Sequence, residues 1–297
     1  MTCPFILIHM GPVFPEYVNM CIQQIRKWNP HERIVFIADE VHKKRVVDCE
    51  FVALESIPLS IKHSTFQERS RHDAEFREGF WKFSTERLFV LEDYMEFAKI
   101  SECIHIENDN MIYFSLEHML PILRREYTGL AAPYLGNEEM TFGILYVREL
   151  AALYDLNVFL LGLSHTGDNE MKLGCRFFLT NRDEADFLPT VSNECEIRAI
   201  DYDFATAHGE AFRGVWDAAA YGQYLGGIDE RNGDGRQVGF VNKSSAFRTD
   251  QFEYTWSLST ADGCDDGLKY PRAHRHGHSW PIYILHIHSK HLEEFAS

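Results

Sequence analysis

The stretch PFILIHMGPVFPEYVNMCIQQIRKWNPHERIVFIAD, residues 4–39, decides the fold. It opens with an apolar run typical of a strand buried on both faces, which Gly11, Pro12 and Pro15 end. Apolar residues then recur at helical spacing, at Tyr17, Val18, Cys21, Ile22, Ile25 and Trp28. A second buried strand, RIVFIAD, ends at Asp39. Strand, helix and strand in this order predict a βαβ unit, and therefore a parallel sheet in an α/β fold.

The α/β pattern continues along the chain to about residue 189. Apolar patterning predicts further strands within residues 49–57, 128–135 and 141–150, and helices within residues 80–100, 149–163 and 167–181. Asp168 or Asn169 is expected to cap the last of these helices. The highly charged residues 62–78 predict an exposed loop or mobile segment. Beyond residue 189, glycines and aromatic residues predict loops and a short helix, closed by a strand within residues 281–295.

Composition narrows the partners and the compartment. The 297 residues contain 29 Lys and Arg against 45 Asp and Glu, a net charge of −16, which disfavours nucleic acid and anionic membranes as partners. A bound divalent cation would still allow a phosphate-bearing ligand. The seven cysteines are scattered without a CxxC pair, as expected for reduced thiols. No signal peptide or membrane-spanning segment is visible, so we expect a soluble, cytoplasmic protein.

The segment SECIHIENDNMIYF, residues 101–114, runs from a strand into acid. Glu107 and Asp109 are two residues apart and share a face if the strand continues through them. Two carboxylates that point the same way repel each other unless a positive charge lies between them, and their hard oxygens suit Mg²⁺ or Mn²⁺. The alternative interpretation is a polar turn, since Asn and Asp are ordinary turn residues.

The tail segment ILHIHSKH offers a complement to these acids. His286, His288 and Lys290 alternate with apolar or small residues, so a strand here would place both imidazoles and the ammonium on one face. A neutral imidazole can complete a carboxylate metal site, and the Lys could meet a phosphate held by that metal. The alternative is a solvated edge strand in which the histidines are incidental.

These residues resemble a known family, the nucleotide-sugar glycosyltransferases of the GT-A fold. Its D-x-D motif at a strand end is similar to IENDNMIY here, with Glu107 in place of the first Asp, and HIHSK is similar to the C-terminal His and Lys of many members. The ordered set FWKFSTERLFVLEDYM, HIENDNMIY, DNEM, DAAAYGQYLGGID, GFVN and LHIHSK resembles a cytoplasmic-type group found in bacteria and large DNA viruses.

The resemblance implies a Rossmann-like GT-A fold with a mostly parallel central sheet. It implies a single domain over residues 1–297, with a nucleotide-sugar-binding half at about 1–115 and an irregular acceptor-binding half at about 116–297 that ends in the metal and phosphate strand. The donor would be a nucleoside-diphosphate sugar, most often a UDP- or GDP-sugar, with Mn²⁺ or Mg²⁺ held by Glu107, Asp109 and His286 or His288. Lys290 would contact the diphosphate.

Further positions gain roles from the resemblance. The nucleotide pocket would use the first βα turn, with His9 and Gly11, and the second strand end at Asp39; Asn108 is a further candidate, or simply a turn residue. Arg87 and, less strongly, Lys82 would face the nucleotide from the helix before the acids, although each is equally a surface helix charge. The candidate catalytic carboxylates and acceptor-binding residues are, respectively, Glu170, Asp168 and Asp217, and Trp216, Gln223 and Asn242.

Each of these last positions has a structural alternative. Acidic residues at a helix start commonly cap it, which applies to Asp168, Glu170 and Asp217. Trp216 belongs to a cluster of aromatic residues, and such residues more often pack in the core than stack against a sugar.

The residues and the resemblance together predict a metal-dependent glycosyltransferase acting on a hydroxyl acceptor. A nucleotidyltransferase or other metal-dependent phosphoryl enzyme is the first alternative, although HMGPVFPEY lacks a Gly-rich phosphate loop, and an inactive sugar-binding protein is the second.

Overall fold

A computed structural model describes residues 3–72, 79–195, 201–259 and 267–297. An eight-stranded sheet forms its centre, in the order β3-β2-β1-β4-β8-β6-β7, with β9 paired to β6. The strands are β1 Phe5–Ile8, β2 Ile34–Ala38, β3 Glu50–Ala53, β4 Cys103–Ile106, β5 Asn110–Ile112, β6 Leu130–Gly136, β7 Glu139–Met140, β8 Ile144–Val147 and β9 Ala185–Leu188. Of these, β5 lies outside the central sheet.

Six of the eight central strands run in one direction. The pairs β1–β2, β2–β3, β1–β4 and β6–β9 are parallel, whereas β8 is antiparallel to both β4 and β6, and β7 is antiparallel to β6. The predicted βαβ unit is confirmed, because β1 and β2 pair from Phe5↔Ile34 to Ile8↔Ile37 around an intervening helix. The protein thus has a mixed α/β fold with a mostly parallel central sheet.

Helices cover this sheet. They are α1 Val18–Trp28, α2 Ile61–Arg69, α3 Phe80–Ala98, α4 Leu116–Glu126, α5 Leu150–Leu163, α6 Glu170–Thr180, α7 Tyr202–Ala205, α8 Gly209–Phe212 and α9 Tyr221–Gly226. The helices α3, α5 and α6 confirm the predicted runs. Asn169, not Asp168, caps α6, since its side chain accepts a hydrogen bond of 3.1 Å from the Lys172 amide. None of the helices in the described ranges is long and apolar enough to cross a membrane.

The described part of the charged segment predicted as a loop is mostly helical. Residues 61–69 form α2, which Ser60 caps by accepting from the amide of His63 at 3.1 Å. His63 and Phe66 are buried against α3, so the charges cover one side of a packed helix. Residues 73–78 of the predicted loop lie outside the described residues.

The second half is less irregular than its composition indicates. Beside the short helices α7 to α9, it contains β10 Glu253–Leu258, β11 Lys269–Arg275, β12 His278–Pro281 and β13 Ile284–His286. The first three form an antiparallel sheet that the sequence analysis missed, since most of its side chains are at least partly exposed and form no apolar run. The last, β13, pairs antiparallel with β5 and confirms the closing strand, although it is shorter than predicted.

Candidate metal centre

Glu107 and Asp109 lie in the tight turn between β4 and β5. The amide of Glu107 donates a hydrogen bond to the carbonyl of Gly143 at 2.9 Å, and the amide of Asn110 donates one to the carbonyl of Glu107 at 3.2 Å. Asn108 fixes the turn to the end of β1 by donating from Nδ2 to the carbonyl of Ile8 at 3.0 Å. The polar-turn interpretation is therefore right about local structure, and the turn sits at the carboxyl ends of two parallel strands, where α/β sheets bind ligands.

The tail brings His286 to these acids. Antiparallel pairing of β13 with β5 sets His286 opposite Asn110. Its Nε2 atom lies 3.2 Å from Oδ2 of Asp109 and 3.5 Å from Oε2 of Glu107. One ligand-capable atom from each of these three side chains lies within 4.8 Å of the others. The arrangement that was predicted from two distant segments is therefore present as one cluster.

Lys290 reaches the cluster by a route that differs from the prediction. The strand ends at His286, and the chain then turns, with the amide of Lys290 donating to the carbonyl of Ile287 at 2.9 Å. Lys290 has a φ of +68° and its ammonium donates to Oδ2 of Asp109. A turn, rather than one strand face, therefore brings the ammonium to the acid.

His288 points away from the cluster. Its Nδ1 accepts a 3.0 Å hydrogen bond from the amide of Asp229. Burial, with Lys290 and His286 nearby, lowers the pKa of His288 to about 4, so its ring is neutral. Of the two candidate histidines, His286 is the one whose imidazole converges with Glu107 and Asp109.

A second group of charges adjoins the cluster from α3 and α6. The Arg87 guanidinium pairs with Oε1 of Glu107, and its Nη2 lies 4.0 Å from Oε1 of Glu170. Thr85 donates to the other oxygen of Glu170 at 3.4 Å. Burial raises the pKa of Glu170 to about 7, against the opposing effect of Arg87. A carboxyl group that can change protonation near neutral pH thus lies one side chain away from Glu107.

The charges on Asp109 and His286 support each other. Burial alone would raise the pKa of Asp109, but His286 and Lys290 hold it well below its usual 3.8. Burial likewise disfavours the charged imidazole, and Asp109 followed by Glu107 raises the pKa of His286 above 6.5. The Asp109 carboxylate is therefore ionised, as a metal ligand has to be.

The residues fit a divalent cation. Two carboxylates and one imidazole are a donor set that Mn²⁺ and Mg²⁺ accept. Buried polar atoms without a hydrogen-bond partner surround the acids, namely Nδ1 of His286, Oδ1 of Asn108, Oδ1 of Asn110 and Nε of Arg87. Buried polar atoms are normally paired, so this concentration is typical of a place that binds a ligand.

Asp217 has a structural environment, which corrects its assignment as a candidate base. Its Oδ1 accepts from the amides of Ala220 and Tyr221 at 2.7 and 2.9 Å, and its Oδ2 accepts from those of Gly222 and His286 at 2.7 and 3.0 Å. With four donors on a carboxylate that is 1% exposed, no lone pair remains for an acceptor proton. Asp217 instead positions His286 and starts α9.

Trp216 and Asp168 also lie outside the centre. The Trp216 ring is fully buried and packs against Phe114 and Tyr283, with ring centroids 5.2 and 5.3 Å apart, so it offers no free face to a sugar. Asp168 is partly exposed and pairs with Arg176 at 3.3 Å on the surface of α6. We therefore reassign Trp216 to the core and Asp168 to the partly exposed segment before α6.

The remaining predicted residues of the nucleotide pocket follow β1 and β2 or lie on α3. His9 and Gly11 follow β1, and a Cβ at Gly11, where φ is +124°, would meet no atom within 4 Å. Asp39 follows β2. Lys82 lies on α3, one turn before Glu86. His9, Gly11 and Asp39 therefore lie at the carboxyl ends of β1 and β2.

Gln223 and Asn242 form a polar pair. Nδ2 of Asn242 donates to Oε1 of Gln223 at 3.0 Å, and Oδ1 of Asn242 accepts from the amide of Ser244 at 2.9 Å. Gln223 belongs to α9, the helix whose start Asp217 binds together with His286. Through α9 and Asp217, the pair is therefore linked to the backbone of His286.

Two glycines were missed by the sequence analysis. A Cβ at Gly222 would lie 2.0 Å from the carbonyl oxygen of His286, and one at Gly143 would lie 3.2 Å from its Nδ1. Gly222 therefore needs to be glycine for the backbone of His286 to approach, and a side chain at Gly143 would crowd the His286 imidazole. The signal was available at Gly222, because a glycine inside a helical pattern often marks close packing.

No family model matches this chain, and no curated protein matches it. Its fold is similar to solved structures whose names are those of glycosyltransferases. Mouse xyloside xylosyltransferase 1 in its apo form is 8% identical over 64% of this chain and 86% of that chain, with a TM-score of 0.47. The galactosyltransferase LgtC, in complex with donor and acceptor sugar analogues, is 11% identical over 63% and 73%, with a TM-score of 0.41. GlyE of Streptococcus pneumoniae is 14% identical over 63% and 45%, with a TM-score of 0.38.

Proposed function

We propose that this protein is a metal-dependent glycosyltransferase that moves a hexosyl or pentosyl group from a nucleoside-diphosphate sugar to a hydroxyl of a glycan or glycoconjugate. One observation carries the proposal. Glu107, Asp109 and His286 converge at the carboxyl edge of a parallel sheet, with Lys290 and Arg87 beside them. A metal with two cationic side chains suits a diphosphate, and the nearby Glu170 suits proton transfer.

Glu107, Asp109 and His286 would hold Mn²⁺ or Mg²⁺, which when bound offsets negative charge on a diphosphate. Lys290 and Arg87 would exchange their carboxylate partners for phosphate oxygens. Asn108 would hold the turn against β1, and His9, Gly11, Asp39 and Lys82 would border the nucleoside. The first 115 residues or so would thus bind the donor, and the remainder the acceptor, except that the C-terminal segment with His286 and Lys290 would complete the metal and diphosphate site.

We propose that Glu170 is the catalytic carboxylate. In an inverting reaction, the acceptor oxygen bonds to the anomeric carbon as the bond to the diphosphate oxygen breaks, and Glu170 takes the acceptor proton. In a retaining reaction, the same carboxylate would stabilise positive charge on the sugar ring. Gln223 and Asn242 would hydrogen-bond acceptor hydroxyls. The change Glu170→Gln should slow transfer and leave the donor Kd unchanged.

A panel of nucleotide sugars tests the function. We expect one UDP- or GDP-sugar to raise the melting temperature with Mn²⁺ and much less without it, because a ligand that binds the folded state stabilises it. The same donor should release nucleoside diphosphate and free sugar on prolonged incubation. In a parallel assay with a nucleoside triphosphate and a sugar 1-phosphate, release of pyrophosphate with formation of the nucleotide sugar would instead indicate a nucleotidyltransferase. Binding without any turnover would indicate a sugar-binding protein, and no shift with any donor would overturn the proposal.

A further inference from the structure

Two buried polar atoms beside the metal cluster have no hydrogen-bond partner and lie close to each other. They are Nδ1 of His286 and Oδ1 of Asn110. A Cβ placed on Gly143 would lie 3.2 Å from the first atom and 3.4 Å from the second, so both atoms border the same small space. Because both atoms are buried, bulk water does not supply a partner for either of them.

Strand pairing brings these two side chains together. Asn110 begins β5 and His286 ends β13, and the two residues are directly opposite each other in the antiparallel ladder. Opposite residues of such a ladder carry their side chains on the same face, with Cβ atoms about 5 Å apart. The backbone of Asn110 is fixed as well, since its amide donates to the carbonyl of Glu107 at 3.2 Å and its carbonyl accepts from the Cys21 thiol at 3.0 Å. The Asn110 side chain is therefore held beside the imidazole.

The orientation of the Asn110 amide is set by Asp109. Nδ2 of Asn110 donates to Oδ1 of Asp109 at 3.4 Å. The reversed orientation would set the amide oxygen against the carboxylate oxygen, and both of these atoms are acceptors. The amide nitrogen is thus engaged with Asp109, and the amide oxygen is left for a different donor.

A cation in the cluster determines which nitrogen of His286 needs a partner. Nε2 is the nitrogen that faces Asp109 and Glu107. When Nε2 is the ligand atom, the hydrogen of the neutral imidazole is on Nδ1, which is then a donor. A buried N–H without an acceptor costs free energy, and that cost would weaken binding of the cation. The site therefore requires an acceptor at Nδ1.

We propose that Asn110 is a positioning residue for the metal ligand His286, an inference that rests on the proposed function. Oδ1 of Asn110 accepts a hydrogen bond from Nδ1–H of His286 and holds the ring with Nε2 toward the cation. Partners of this kind fix the orientation and the tautomer of a ligating histidine. Gly143 contributes by having no side chain, because a methyl group there would crowd both the imidazole and the amide.

The affinity for Mn²⁺ without nucleotide, measured by electron paramagnetic resonance, tests this hydrogen bond. Asn110→Leu keeps the approximate size of the side chain and removes the acceptor, so we expect Mn²⁺ to bind at least about tenfold more weakly. Asn110→Asp keeps an acceptor oxygen and should bind Mn²⁺ no more than about threefold more weakly than wild type. The control Asn157→Leu removes a buried amide on α5 whose Oδ1 also has no partner, and should stay within about twofold of wild type.

Proton NMR with Mg²⁺, which is diamagnetic, gives a readout that a merely structural role would not affect. We expect a slowly exchanging Nδ1 proton of His286 in the wild type and in Asn110→Asp, and rapid exchange in Asn110→Leu, because a hydrogen bond protects the proton. The resonance is assigned by its absence from His286→Asn. Gly143→Ala keeps both polar side chains but crowds them, and should both remove the protection and weaken Mn²⁺ binding.

Three results would each overturn the inference. They are wild-type affinity in Asn110→Leu, an equal loss of affinity in Asn110→Asp and Asn110→Leu, and a protected Nδ1 proton that persists in Asn110→Leu. The second result would indicate that the amide acts only as a donor to Asp109. If Asn110→Leu does not fold, Asn110→Asp and Gly143→Ala decide the question, and wild-type affinity with a protected proton in Gly143→Ala overturns the inference.

The wild type separates this inference from the proposed function. If the wild type binds Mn²⁺ and Asp109→Asn abolishes that binding, the metal centre stands whatever the Asn110 variants show. If the wild type binds neither Mn²⁺ nor Mg²⁺, the metal dependence of the proposed function fails together with the inference.

Discussion

Among the residues that the structure describes, two buried histidines each meet two carboxylates, and the two clusters differ in geometry. In the first, His63 uses Nδ1 for Asp93 and Nε2 for Glu86, so the acids lie at opposite edges of the ring. In the second, Nε2 of His286 faces both Asp109 and Glu107. The same three residue types therefore give a structural ion network in one place and a set of converging ligands in the other.

The two clusters differ in whether their carboxylates leave a common point at which an ion could bind. The carboxylates beside His63 are separated by an imidazole, which neutralises them without leaving a common point for an ion. Those beside His286 converge, and their charge is offset by separate cations, Lys290 and Arg87, which a metal and a phosphate can displace. Of the two clusters, the one in which a single ring nitrogen faces both acids is the one whose three side chains could share an ion.

The largest expected effect is at Asp109. Asp109→Asn removes the charge at the centre of the converging cluster, and we expect metal-dependent donor hydrolysis to fall roughly a thousandfold. Hydrolysis is followed as release of nucleoside diphosphate. Asp168→Asn makes the same change at a partly exposed position before α6 and should leave the rate within about twofold of wild type, because surface changes rarely exceed about 0.5 kcal/mol. Equal losses in both variants would contradict the placement of the centre.

A change in the first cluster should affect stability instead. His63→Leu leaves Glu86 and Asp93 buried without their shared partner, and breaking a buried ion pair in this way costs about 3 kcal/mol or more. Urea unfolding measures the loss, with His165→Leu at an exposed position as the control. Mn²⁺ affinity without nucleotide should not change. A stable His63→Leu protein that no longer binds Mn²⁺ would show that the two clusters are not separate.

The two tail histidines provide a narrower test. His286→Asn should weaken Mn²⁺ binding at least tenfold, as expected for changes around a metal site, while His288→Asn should leave it within about twofold. The reason is that Nδ1 of His288 already accepts from the Asp229 amide. Manganese titration followed by electron paramagnetic resonance reports both affinities. If His288→Asn weakened Mn²⁺ binding more than His286→Asn, then His288, not His286, would be the metal ligand.

The smallest expected effect is the pH dependence of the first cluster. The raised pKa of His63 stabilises the fold fully below the unfolded value of 6.5, and this contribution is lost as pH rises through the folded pKa. The lowered pKa of Glu86 acts in the opposite direction, and its contribution is lost as pH falls below 4.5. The stability difference between wild type and His63→Leu should therefore be greatest in between. Urea midpoints from pH 4 to pH 9 that show a constant difference would contradict this.

The sequence predicted the elements whose residues carry their own periodicity. The segments that form β1, α1 and β2 are buried on regular patterns, and α3 has an apolar stripe over five turns. Each of these elements could therefore be predicted without knowing which distant part of the chain packs against it. The strands β10 to β12 lie at the surface with mixed exposure, and α2 is highly charged. Their stability depends on packing against elements that are far away in the chain, which no local pattern contains.

The candidate site was predictable in composition but not in geometry. Glu107, Asp109, His286 and Lys290 could be named, because acids and imidazoles at strand ends suggest a metal. The hydrogen bond between His286 and Asp109 spans 177 residues, and the turn that delivers Lys290 cannot be read from alternation. Asp217 and Trp216 resembled functional residues because sequence does not reveal that a carboxylate has four amide partners, or that a ring is fully buried.

The Asp217 carboxylate has a consequence for how the tail opens. It accepts from amides at the start of α9 and from the amide of His286, so neither segment can separate from the other without breaking these bonds. The amides of Ala220, Gly222 and His286 should therefore exchange with deuterium at one shared rate, as members of a single cooperative unit. Detachment of the C-terminal segment would then remove His286 from Asp109 and begin to unwind α9 in the same event.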